Sequence, residues 1–147
     1  MWMPRARLLV ATIWAGSIWT VGYLVAPTLF ATLSDRVLAG TIAAGMFDVE
    51  AWVCIACALA MLALVGWGGY EARRRRTLLL IVLATLACTL VVHFGIQPSM
   101  AQLRAAAGPS GVMASALRAR FGMLHGISSG IYLIQSLLAG WLLFKQQ

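Results

Sequence analysis

At 147 residues the chain has room for a single transmembrane domain, residues 1–147, and at 62% apolar, 10% charged and a mean hydropathy of +0.90 it is not built like a soluble protein, which carries about 25% charged residues. The composition implies the lipid bilayer as solvent and excludes a separate soluble domain beside the membrane helices. The formal net charge of +7 does not indicate nucleic acid, because the basic residues sit in short segments between apolar runs and form no stripe interleaved with aromatics.

Four apolar stretches, at about 8–30, 47–70, 77–97 and 121–144, each reach the roughly 20 residues that a membrane-crossing helix needs. They predict an all-α integral membrane four-helix bundle with helical outer connections. The opening MWMPRARLLV has the charge-then-apolar order of a signal peptide. Its apolar region outruns a cleavable core of about 7–15 residues, so it reads as an uncleaved first helix. Arg5, Arg7, the Arg73 to Arg76 run and Lys145 fall on one side; Arg36, Arg104, Arg118 and Arg120 fall on the other. This bias predicts both termini in the cytoplasm. The arginine run orients the chain first and can also meet anionic headgroups.

Helix 1 carries Thr12, Ser17 and Thr20 with Gly16 and Gly22, small residues that let membrane helices approach. Pro27 predicts a kink or an end near its outer limit. Ser34 and Asp35 can cap a helix start, so a short outer helix is expected to lead into helix 2, with or without a clean break, with bends at Gly40 and Gly45. Trp52 and Trp67 read as interface anchors of helix 2. Cys54 and Cys57 form a C-x-x-C, but mid-helix and without a second such motif they read as small buried hydrophobes. Helix 3 presents Thr85, Cys88, Thr89 and His93 on one face, which should meet protein, and Gln97-Pro98 should end or kink it. Gly108-Pro109-Ser110-Gly111 is a break; from Val112 the chain should run as helix unbroken into helix 4. There His125, Ser128, Ser129, Tyr132, Gln135 and Ser136 form a polar face. Beside it Gly122, Gly126 and Gly130 have helix-contact spacing. Those glycines pack a neighbouring helix, a second copy of the chain or a membrane partner.

If successive helices alternate in direction, Glu50, His93 and His125 lie about 9–13 Å from the midplane on the outer side, at ~1.5 Å rise per residue. Asp48 sits just above them, and Arg118 and Arg120 approach from outside. Ionisable residues in a membrane segment usually face a bundle interior or a cavity. The first reading is a non-enzymatic polar cluster of Asp48, Glu50, Arg118, Arg120, Ser128 and Ser129 that supports structure or binds a small ligand, with the arginines paired to the carboxylates. The second is a cofactor site: haem b held by His93 and His125, or copper or another metal held by His93, His125 and Glu50, with Met46, Met100, Met113 and Met123 on the same side. The third is a proton or solute relay, although the polar trail thins toward the cytoplasm. Hydrolase chemistry has no support, since Ser128 and Ser129 lie on the same helix as His125 without a nucleophile context.

The stretch Phe121-Gly-Met-Leu-His-Gly-Ile-Ser-Ser-Gly resembles the F-x-x-x-H-G-x-S-S signature at the start of the last helix of transmembrane protein 205-like proteins. Trp14-Ala-Gly-Ser-Ile-Trp-Thr-Val-Gly-Tyr-Leu-Val-Ala-Pro-Thr-Leu-Phe resembles that family's first helix. The Ala44-Gly-Met-Phe region resembles its entry to helix 2, and Gln97-Pro-Ser-Met with Leu103-Arg104 the end of its helix 3. The resemblance implies a four-helix integral membrane protein, in bacteria one of the inner membrane, and carries over no catalytic residue. Asp48, Glu50 and the C-x-x-C are not part of that pattern. A fainter similarity in layout to copper-resistance D type membrane proteins and to small histidine-bearing haem proteins adds to the cofactor reading.

Overall fold

The computed structural model describes residues 2–146. Four helices are long and apolar enough to cross a membrane: α1 (Met3–Thr32), α2 (Arg36–Gly66), α3 (Ala72–Ser110) and α4 (Arg118–Phe144). No strand occurs among the described residues. α1 and α3 each pack against both α2 and α4, so the helices close into a ring around one core. The protein is an all-α four-helix membrane bundle.

The core follows from helical periodicity. Ala11, Trp14, Ala15 and Ile18 of α1 recur at three and four, and they meet Cys54, Ala58 and Met61 of α2, Leu78 and Val82 of α3, and Ala139 and Leu142 of α4. The opposite faces carry large exposed apolar side chains such as Leu9, Leu24, Leu59, Leu80 and Leu137. In water such surfaces would drive aggregation; in a bilayer they are the lipid contact.

Every helix begins or ends outside its apolar stretch. The Asp35 carboxylate caps α2, accepting from the backbone N–H of Val37 at 2.9 Å and of Leu38 at 3.0 Å. α2 therefore starts at Arg36 and runs on through Gly40 and Gly45, so the outer helix leads into helix 2 without a break. Of the kink or end expected at each proline, the end does not occur. α1 adopts π geometry over Thr20–Val25 ahead of Pro27, and α3 does so over Val91–Ile96 ahead of Pro98. A helical proline lacks an N–H and presses its ring on the residue four before it. Those residues, Tyr23 and Phe94, lie inside the widened turns, where one extra residue relieves the clash.

The outer connection breaks where glycine permits it. Gly108 at φ 67° and Gly111 at φ 79° occupy backbone conformations that side chains disfavour. Val112–Ala114 forms a short 3-10 turn, and Ser115 is extended, so α4 begins anew at Arg118 and is not continuous from Val112. Two hydrogen bonds tie α4 to α1: the Tyr132 hydroxyl donates to the Ile18 carbonyl at 2.7 Å, and the Trp19 indole donates to Ser136 Oγ at 2.9 Å.

Candidate functional site

The ionisable residues of the outer half separate into distinct environments. Asp48 and Glu50 stand two apart on α2, about 200° round the helix. Asp48 is 63% exposed and lies 3.6 Å from Nδ1 of His93, which is 11% exposed. The His93 ring packs edge-on against Trp52, with centroids 5.5 Å apart, and against Phe94 at 4.5 Å. This pair closes the α2–α3 seam on the outside of the bundle.

Glu50 points the other way and is 5% exposed. Its Oε1 accepts from the Cys54 thiol, one turn further along α2, at 2.8 Å. Cys54 Sγ in turn accepts from the Gln135 amide of α4 at 3.6 Å, and the same amide donates to Thr89 Oγ1 of α3 at 3.0 Å. Thr89 donates to the Thr85 carbonyl at 3.2 Å, and Thr85 to the Ile81 carbonyl at 2.8 Å. The Trp14 indole lies against Cys54 but finds no acceptor in bonding geometry. Three helices thus share one buried polar chain at the level where apolar packing would otherwise be continuous.

Between α1 and α2 a groove of about 360 Å³ reaches Glu50. Its walls include Val21, Met46, Val49 and Val53, and its polar lining is Ser17 and Glu50. It exists for local reasons. Gly45 contributes no side chain, and a Cβ built there meets nothing within 4 Å. Val21 sits within the π turn that widens α1.

The other candidates lie apart from this chain. His125 is exposed and its ring stacks on that of Phe121, with centroids 6.1 Å apart and planes 5° from parallel; the Arg104 guanidinium lies 6.0 Å over the same Phe121 ring. Ser128 is buried and donates to the His125 carbonyl at 2.9 Å, which is a local helix bond. Ser129 is exposed. Arg118 and Arg120 are exposed, and among the described residues no ion pair joins them to Asp48 or Glu50. The expected arginine–carboxylate pairing is not found among the described residues; both arginines lie in the exposed first turn of α4. His93, His125 and Glu50 do not assemble as metal ligands: no group of three or more His, Cys, Asp or Glu gathers among the described residues. The His93 ring is flanked by Trp52, Phe94 and Asp48, and His125 is exposed.

Gly122, Gly126 and Gly130 have open space at the Cβ position. They pack no helix of this chain, and Gly126 and Gly130 lie opposite the buried Ser128–Gln135 face and not beside it. Cys54, Gln135 and Trp14 belong to the site and were not among its expected members. The signal for Cys54 was its four-residue spacing from Glu50, and for Gln135 its place in an otherwise apolar turn.

Comparison with curated proteins and comparison with solved structures gave no match. The profile of a domain of unknown function, DUF4149, matches residues 9–109, more than half of the chain. The matched residues hold the groove, Glu50, Cys54 and the Asp48–His93 pair and stop before α4. The chain belongs to the DUF4149 family.

Proposed function

We propose that this protein is a non-enzymatic, single-domain binder of a small ligand that enters from the lipid phase and rests in the groove between α1 and α2, with Glu50 as its polar contact. One observation carries the reading: a carboxyl group is buried in the bundle, among the described residues no cation pairs with it, and an apolar groove leads to it. A carboxyl in such a place costs several kcal/mol unless its polar capacity is met. A purely structural polar plug would close over its own groups; Glu50 has one neutral thiol donor and a groove.

The wider assignment extends the family membership. The similarity of the first helix and of Phe121 to Gly130 to transmembrane protein 205-like proteins supports an inner-membrane protein of bacterial type, and the arginine bias supports cytoplasmic termini. The open Gly122, Gly126 and Gly130 face supports association with a second copy or a membrane partner. The relay reading has weaker support, because the polar chain beyond Glu50 ends in backbone carbonyls at Thr85 and Ile81.

Native mass spectrometry of the protein ejected directly from its membrane tests groove binding. The expected spectrum shows a non-covalent adduct on the wild type that Gly45→Leu, which fills the groove, removes. Identical adduct patterns in the two proteins would refute it.

A further inference from the structure

The hydrogen-bond directions at the groove select the chemistry of its ligand. Gln135 donates to Cys54, and Cys54 donates to Glu50. The thiol proton is therefore spent inward of the groove, and Glu50 is the terminal acceptor of the chain. Ser17, the other polar wall residue, spends its hydroxyl proton on the Trp14 carbonyl at 2.9 Å. Ionised, Glu50 offers a ligand lone pairs only, as Ser17 does, and a positively charged ligand favours that ionised form. The unpartnered Trp14 N–H is fully buried behind them and does not line the groove.

Charge points the same way. The chain has four acidic residues. Asp35 caps α2, Asp48 faces His93, and Glu71 is exposed at the start of α3. Glu50 is left as the buried acid, and among the described residues no ion pair gives it a cation. A buried carboxylate is tolerable when its partner brings both charge and hydrogen. Around it stand Val21, Met46 and Val49, which suit an alkyl or aryl body.

We infer that the groove binds an amphiphilic amine: an apolar body carrying one protonated N–H donor, which Glu50 and Ser17 accept. This inference rests on the groove reading above and names the ligand class for it.

The test uses the full chain in nanodiscs and measures retention of tritiated decylamine, decanol and decanoate against empty nanodiscs. The expected result is saturable binding of decylamine, with little of the alcohol or the acid. Glu50→Gln should weaken amine binding roughly ten- to a hundredfold, the range of a charge-assisted hydrogen bond. Gly45→Leu should abolish it, while Gly45→Ala, whose Cβ enters open space, should retain it and report that substitution at this position leaves the fold intact. If decanol or decanoate binds as tightly as the amine and Glu50→Gln changes nothing, the cation inference is overturned while a Gly45→Leu block keeps the groove. If no ligand distinguishes the wild type from Gly45→Leu, the groove reading falls with it.

Discussion

A carboxyl group one turn from a cysteine in a membrane helix looks unremarkable in sequence, yet the direction of each proton around Glu50 sets what the bundle can do. The chain from Gln135 through Cys54 gives Glu50 a neutral donor and no charge. Glu50→Gln keeps the acceptor oxygen and removes the burial cost of an anion, so the folded protein should be as stable as the wild type or more so in a thermal unfolding scan in detergent. A large loss of stability would assign Glu50 a structural role. Gln135 is different: its amide serves Cys54 and Thr89 at once. Gln135→Leu strands both and should cost about 1–3 kcal/mol, measured in the same scan. At Gly22 the constraint is steric, since a Cβ there would run into the Tyr132 ring. Gly22→Val should therefore destabilise by about 1–3 kcal/mol through displacement of that ring, with a lowered melting temperature as the readout.

Among the elements, α4 shows where periodicity stops informing. Its polar face and its glycine face both follow helical spacing, and spacing alone does not say which turns inward. The buried set Ser128, Gln135, Ala139 and Leu142 won because Gln135 reaches partners on two helices and Tyr132 reaches α1. Gly126 and Gly130 lie about 160° and 200° round from Ser128 and so had to face out. The polar stripe of α3 was legible because every alternative face is aliphatic; Thr85 and Thr89 are indeed buried. The helices do not end at Pro27 and Pro98 for a backbone reason, the π turns that accommodate both rings. For the outward glycines the expectation is self-association: a Gly130→Cys protein in membranes should cross-link under oxidation, and Gly126→Leu should suppress the cross-link. Equal cross-linking in the two would count against this face as the contact.

For the whole molecule, hydropathy was sufficient to read an all-α membrane bundle, because four apolar runs in a chain this short leave little else to build. What it could not read was the division of the outer polar residues. Depth along a helix follows from residue count, but facing does not. Asp48, Glu50, His93 and His125, expected at or near one level, occupy an exposed seam, a buried chain and an outward stack. The groove was equally hidden, since it arises from a missing side chain at Gly45 and a widened turn in α1.

The central claim is that Glu50 is reached from lipid through that groove. Carbodiimide labelling in intact membranes, mapped by peptide mass spectrometry, tests it most directly. The lipid-soluble dicyclohexylcarbodiimide should modify Glu50 in the wild type and leave it unmodified in Gly45→Leu, and a water-soluble carbodiimide should label Asp48 but not Glu50. An unmodified Glu50 in the wild type, or equal modification after the groove is filled, would contradict the account.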